Sequence, residues 1–145
     1  MPTIFKSIDI DAPPERVFAL IGPMTKQSEW AIFLKDAQLL SGDGTSPGST
    51  YRWAFKVGPR SQPLEAVIAA YNENEALVRR TRGALQMEDR LFLAPIGAGT
   101  RVEWTIYYKP PFGPLGALLD LIFVNRVFQN DVETSLERLK RQLEG

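Results

Sequence analysis

Hydrophobic and polar positions alternate with a period of two in residues 4–10, where Ile4, Ile8 and Ile10 share one face. Successive side chains of a strand point to opposite faces, so this pattern predicts a strand with one buried face. Six later segments of strand character are separated by turns rich in glycine, proline and asparagine: residues 34–40, 49–57, 64–71, 76–82, 86–93 and 100–108. Their close spacing predicts an antiparallel meander, which with the first strand makes a sheet of seven strands.

The segment between the first two predicted strands carries the signals of two short helices. The proline pair of residues 13–14 suits the first turn of a helix, which ends at the glycine–proline pair of residues 22–23. A second short helix is predicted over residues 24–31, with Trp30 and the following Phe33 turned inward.

Residues 114–144 predict one long helix at the C-terminal end of the chain. Proline suits its first position, because proline has no amide to leave unpaired. The last part is amphipathic, with one stripe formed by Val132, Leu136, Leu139 and Leu143. The first part is apolar nearly all round, which predicts burial on more than one side. We expect it to pack against the sheet; the alternatives are contact with a second subunit, and so a homodimer, or with a membrane surface.

An apolar sheet face must be covered by another layer, and the long helix can provide that cover. The order strand–helix–helix–six strands–helix therefore predicts an α+β fold, in which a curved seven-stranded antiparallel sheet wraps around a long C-terminal helix. A chain of 145 residues has the usual length of one domain, so we predict a single domain over residues 1–145.

The composition excludes several kinds of chemistry. The chain has no cysteine and no histidine, which rules out disulfides, thiol catalysis, a Ser-His-Asp triad and histidine metal ligands, so we expect neither a metal nor a cofactor.

Lys+Arg and Asp+Glu are both 17, a balance that does not favour a nucleic-acid partner. The longest apolar run, residues 115–124, is too short to cross a bilayer and contains Asp120, so we expect no integral membrane association. The first residues lack the apolar core of a signal peptide, which predicts a cytoplasmic protein.

Three local patterns carry a resemblance to a known family. The first is the passage from strand into helix over residues 8–18, with the pattern Ala-Pro-x-x-x-Val-Phe. The second is Trp30, some dozen residues later. The third is the terminal helix, at residues 115–120 and on through residues 136–140. With the order of elements, they make the whole chain resemble the START/Bet v 1-like helix-grip superfamily, in particular its bacterial polyketide cyclase/dehydrase-like (SRPBCC) members. The resemblance implies an apolar ligand held between sheet and helix. The superfamily includes lipid carriers, polyketide aromatases and cyclases, hormone receptors and chaperone activators; it has no universal catalytic motif, so the resemblance assigns no catalytic residue.

A cavity between sheet and helix would be lined by inward positions of both. Such cavities are mostly apolar, with a few polar groups that orient the ligand. Asn125 and Gln129, four residues apart on the core-facing stripe, are candidates for those polar groups. The alternatives are that the aromatic residues fill a solid core, and that the two amides bond to a strand or to water. The predicted ligand-binding residues are Trp30, Tyr51, Trp53, Phe55, Trp104, Ile106, Leu118, Ile122, Asn125 and Gln129.

Two charged residues fall on otherwise apolar strand faces. Arg79 shares a face with Leu77, and Asp89 shares one with Leu91, so both are predicted to point inward. A buried arginine could fix a carboxylate or an enolate oxygen, and a desolvated acid could act as a base. With the phenol of Tyr108, they are the predicted catalytic residues. The alternative is a cross-strand pair on the surface, since a slip of one residue exchanges the two faces.

Three functions are compatible with these observations. The first is binding of a hydrophobic small molecule, lipid-like or polyketide-like, in an apolar cavity. The second is a polyketide cyclase, aromatase or dehydratase activity without a metal, in which carboxylate and phenol groups move protons. The third is an interaction module of the chaperone-activator kind. The lack of histidine favours the first function over the second.

Overall fold

The computed structural model describes residues 2–57, 60–83, 85–110 and 123–145. The strands are β1 (Thr3–Ile10), β2 (Leu34–Ser41), β3 (Thr50–Val57), β4 (Arg60–Asn72), β5 (Ala76–Gly83), β6 (Gln86–Ile96) and β7 (Gly99–Lys109). The helices are α1 (Pro14–Ile21), a short 3₁₀ helix (Met24–Glu29) and α2 (Asn125–Glu144). The order of these elements is the predicted one.

The seven strands form one antiparallel sheet in the order β1-β7-β6-β5-β4-β3-β2. Consecutive strands from β2 to β7 pair as a meander, and β1 joins the far edge by pairing with β7, where Ile8 lies opposite Val102. A bulge in β4 between Ile68 and Ala70 bends the strand and increases its twist. The predicted α+β fold class, with a curved seven-stranded sheet and a C-terminal helix, is confirmed.

Burial on alternate positions identifies the inner face of the sheet. On β6 and β7 the buried hydrophobic and charged positions are Met87, Asp89, Leu91, Leu93, Val102, Trp104, Ile106 and Tyr108. Apart from Ala76, the buried hydrophobic residues of the sheet, α1 and α2 form one connected cluster. The candidate site therefore lies on the inner face of the sheet.

Helix α2 packs on β1 and α1 with one side. The buried residues on that side are Phe128, Val132, Ser135, Leu136, Leu139 and Leu143, which include the four predicted stripe residues. The part of the predicted helix over residues 114–122 lies outside the described residues. The prediction of burial on more than one side is wrong for Phe123 and Val127, which are 62% and 42% exposed, because they lie off the side of the helix that packs inward.

Long-range hydrogen bonds attach α2 to the first part of the chain. The backbone N–H of Ile32 donates to Oγ of Ser135 at 3.0 Å. The ammonium group of Lys140 donates to the carbonyl oxygen of Asp9 at 2.6 Å. These contacts fix the position of the helix against the inner side of the sheet.

Candidate functional site

Strand register places two rows of inward side chains across the sheet. One row runs from β3 to β7 through Tyr51, Ala66, Thr81, Met87 and Tyr108. The neighbouring row runs from β4 to β1 through Ile68, Arg79, Asp89, Ile106 and Ile4. Every member of the two rows is buried. The structure thus places Arg79, Asp89 and Tyr108 on the same inner face as the predicted ligand-binding residues Tyr51 and Ile106.

An aromatic cluster occupies the interior between the sheet and α2. Phe33 lies at its centre, stacked on Trp104 with ring centres 5.6 Å apart, and meets Phe55 and Phe128 edge-on at 5.8 Å and 5.3 Å. Phe128 also contacts the ring of Tyr108 at 5.3 Å. These separations are typical of attractive aromatic pairs. Rings therefore fill the part of the interior that Phe55 and Trp104 were predicted to line.

Two members of this cluster, Phe33 and Phe128, were not predicted as site residues. Phe128 precedes Val132 by four residues, so the helical stripe could have identified it. Phe33 lies in the turn before β2, where no periodic pattern indicates which way a side chain points. Phe33 is buried, in agreement with the predicted inward orientation, but only the packing of the folded chain shows that it lies at the centre of the cluster.

Arg79 and Asp89 form an ion pair that is almost completely buried, at 0% and 1% exposure. Nε of Arg79 lies 3.2 Å from each carboxylate oxygen, and Nη2 donates a short hydrogen bond to Oδ2. The guanidinium also lies 4.9 Å from the ring centre of Trp53, and its Nη1 is 3.6 Å from the sulfur of Met24. The alternative of a surface pair is therefore excluded.

The two candidate amides of α2, Asn125 and Gln129, are paired within the protein. The Asn125 side-chain N–H donates to the hydroxyl oxygen of Tyr108 at 2.7 Å. Gln129, one turn later, donates to the amide oxygen of Asn125. This arrangement corresponds to the alternative in which an amide bonds to a strand. The chain of three groups connects the start of α2 to the end of β7.

Two other predicted ligand-binding residues lie at the edge of this interior. Trp30 packs on Trp104 with ring centres 5.2 Å apart. The Tyr51 hydroxyl donates to the carbonyl oxygen of Gly44 at 3.5 Å, and burial, with a smaller contribution from Asp43, raises the pKa of the Tyr51 phenol.

Leu118 and Ile122 lie outside the described residues, so their place in the site stays a prediction. The roles assigned to the other candidate residues are likewise predictions, although their positions are now defined.

Some buried polar atoms have no hydrogen-bond partner within the described part of the chain. They are Nε1 of Trp53, Oγ1 of Thr81 and Oε1 of Gln27. Trp53 and Thr81 both lie on the inner face of the sheet, on β3 and β5. Buried polar groups are usually paired in folded proteins, so these atoms require an explanation.

An open groove of about 790 Å³ lies on the outer face of the sheet. Outward side chains of Arg80, Glu88, Arg90 and Tyr107 contribute to its lining. Glu88 accepts hydrogen bonds from Arg80 at 2.9 Å and from Arg90 at 2.7 Å, and these bonds, the one from Arg80 first, lower the pKa of the Glu88 carboxyl. No described residue of the predicted ligand-binding set lines this groove.

Metal binding and membrane spanning find no support in the described ranges. In them, no three acidic side chains converge in a way that could hold a metal ion. None of their helices combines the length and the apolar character that crossing a membrane requires.

A curved antiparallel sheet that encloses a C-terminal helix, with an aromatic interior between them, defines a helix-grip protein. The sequence matches the family described as polyketide cyclase/dehydrase and lipid transport over residues 1–144, and the chain belongs to that family. The predicted relationship to the polyketide cyclase/dehydrase-like (SRPBCC) proteins is thereby confirmed.

Solved structures share this fold over nearly their whole length. The protein TTHA0849 from Thermus thermophilus has a TM-score of 0.83 at 21% identity, over 98% of this chain and 97% of that one. A START superfamily protein from Mycobacterium smegmatis has a TM-score of 0.76 at 16% identity, over 98% of this chain and 97% of that one. At these identities the likeness shows the fold alone. No curated protein matches the chain by sequence.

Proposed function

We propose that this protein binds a hydrophobic small molecule, lipid-like or polyketide-like, between the inner face of the sheet and α2. The family description joins cyclase and dehydrase activities with lipid transport, and both require an apolar molecule to enter the protein. The proposed binding residues are the inner aromatic side chains, above all Trp53, Phe55 and Trp104, which are buried on that face.

The observation that carries this proposal is the buried pair of Arg79 and Asp89 in an aromatic interior. Burying two charges is costly, and replacing such a pair by apolar residues is often neutral or stabilising. Folding alone therefore does not require the pair. Apolar pockets that bind small molecules typically contain a few fixed polar groups, and the pair supplies such groups on the inner face.

Entry of a ligand requires that aromatic rings leave the space they now fill. Phe33 is suited to this, because it belongs to a turn and not to a strand or helix. Turn segments move more easily than the elements that they connect. Displacement of the Phe33 ring would open the space between Trp104, Phe55 and Phe128 while leaving the sheet register intact.

The test is a titration of the protein with the neutral fluorescent probe N-phenyl-1-naphthylamine, read as energy transfer from tryptophan. We expect saturable transfer in the wild type. Ala66→Leu adds bulk to the buried inner row and should weaken binding, whereas Ala94→Leu on the exposed side of β6 should leave binding unchanged. Far-UV circular dichroism checks that both variants fold. No saturable binding in the wild type, or equal weakening by both variants, would refute the proposal.

A second candidate function is metal-free polyketide cyclisation or dehydration, favoured by the fully enclosed carboxylate of Asp89 and the phenol of Tyr108 on the same face. In that reaction Asp89 and Tyr108 would move protons while Arg79 holds an enolate oxygen. The test is turnover of a linear poly-β-ketone thioester, followed by absorbance of the aromatic product. Asp89→Asn should abolish turnover while the affinity for the thioester is retained; unchanged turnover would remove Asp89 from this role.

A further inference from the structure

Two buried polar groups on the inner face have nothing to bond to within the described residues: the indole N–H of Trp53 and the hydroxyl of Thr81. Trp53 is 1% exposed and Thr81 is 2% exposed, so solvent does not supply the missing bonds. A buried donor without an acceptor destabilises the folded protein, and native structures contain few of them. A bound ligand could provide the acceptor.

The two groups border the same small part of the inner face. Thr81 on β5 lies opposite Ala66 on β4. Trp53 on β3 lies opposite Leu64, which precedes Ala66 by two residues and therefore points to the same side of β4. Ala66 is the smallest side chain of its row, so the position between Tyr51 and Thr81 has little side-chain bulk. An indole can only donate, while a hydroxyl can donate or accept. Both groups therefore lie beside Ala66, where each can donate to a ligand oxygen.

The charged side chains nearby indicate what kind of ligand oxygen this part of the inner face can accept. Of the described basic side chains on the inner face, Arg79 is paired with Asp89, and Lys6 is paired with Glu133 at 3.6 Å. Among the described side chains of the inner face, a carboxylate ligand would thus find no free cation, and burying an unpaired charge is far more costly than burying a neutral carbonyl.

We infer that the interior selects apolar molecules that carry a neutral carbonyl oxygen, such as a ketone, an ester or a lactone, over free fatty acids. Trp53 and Thr81 are the residues that determine this specificity, by donating hydrogen bonds to the carbonyl. The inference rests on the proposed binding function and names the ligand class of that same site.

The experiment compares three probes of similar chain length: 2-tridecanone, dodecanoate and tridecane. The affinity of each compound is measured at neutral pH by its displacement of bound N-phenyl-1-naphthylamine. The measurement is made on three proteins: the wild type, Thr81→Val and Trp53→Phe. Thr81→Val keeps the shape of the side chain and removes the unpaired hydroxyl, so the free protein should be at least as resistant to urea as the wild type. Thr105→Val, on the outer face of β7, is the matched control.

We expect each inner variant to lower the affinity for 2-tridecanone relative to that for tridecane about tenfold, the usual effect of one lost hydrogen bond. Wild-type protein should bind dodecanoate at least about tenfold more weakly than the ketone. If the ketone and the alkane both bind but neither inner variant changes their ratio, or if dodecanoate binds as tightly as the ketone, the inference is wrong and the binding function stands. If neither the fluorescent probe nor any of the three compounds binds, the binding function itself fails.

Discussion

Trp104 on β7 donates its indole N–H to Oδ2 of Asp89 on β6 at 3.1 Å, and the same oxygen accepts from Arg79 on β5. Three adjacent strands are thus connected by side chains inside the protein, in addition to their backbone hydrogen bonds. Because the carboxylate is bonded from two sides, its orientation is fixed relative to the aromatic cluster. Several consequences of this interior can be measured.

The first prediction concerns the buried ion pair. Asp89→Asn should lower the free energy of unfolding by about 3–5 kcal/mol, because it leaves the guanidinium of Arg79 buried without a counter-charge. Replacing both residues, as Arg79→Met with Asp89→Leu, should cost less than the single change. Urea unfolding measures both. Asp9→Asn, in the exposed pair with Arg101, is the control and should have a smaller effect. A double variant that is less stable than Asp89→Asn would contradict this account.

The second prediction concerns the centre of the aromatic cluster. Phe33→Ala should lower the free energy of unfolding by about 3–5 kcal/mol, because it removes a buried ring and leaves a cavity. A dry apolar cavity of this kind can bind benzene, which should raise the melting temperature of this variant and not of the wild type. Phe92→Ala, at a position that is 43% exposed, should show neither effect. A benzene response equal to that of the wild type would show that the space had collapsed.

The third prediction concerns the hydrogen bond between α2 and the turn that carries Phe33. Ser135→Ala leaves the partly buried N–H of Ile32 without its acceptor and should cost about 1 kcal/mol. The amide proton of Ile32 should then exchange with solvent faster than in the wild type. Thr134→Ala, on the exposed side of the helix, is the matched control. Unchanged exchange at Ile32 in the Ser135 variant would mean that the turn is held by other contacts.

The fourth prediction is a pH dependence on the outer face. Hydrogen bonds from Arg80, and next from Arg90, lower the pKa of Glu88 below the usual glutamate value of about 4.3. A lowered folded-state pKa contributes stability above the unfolded-state pKa, and this contribution is lost as the pH falls through the folded-state pKa. The wild type should therefore be more stable than Glu88→Gln at neutral pH, and the difference should vanish in acid.

Urea unfolding between neutral pH and pH about 3 measures this difference, with a repeat in high salt, which should reduce it by screening. A difference that stays constant from neutral to acidic pH would show that the Glu88 side chain stabilises the sheet by packing and not by charge.

Periodicity along the chain was enough to predict the order of the elements and, for strands with clear alternation, the inner face of the sheet. Arg79 and Asp89 could be placed inward because each continues an alternation set by a neighbouring leucine. Their pairing follows from the short β5–β6 hairpin, which sets Arg79 opposite Asp89. The meander, the terminal helix and the resemblance to the helix-grip superfamily were likewise accessible without coordinates.

What the sequence determined by itself is which side is buried in those strands and helices whose pattern is regular, since the preference of a side chain for the interior repeats with the geometry of its own element. Tertiary structure decided which buried groups meet. The contact of Trp104 with Asp89, the position of Phe33 among the rings, and the lack of partners for Trp53 and Thr81 within the described residues all depend on segments far apart in the chain. Local periodicity carries no information about such distances, because they are set by how the packed layers fill space.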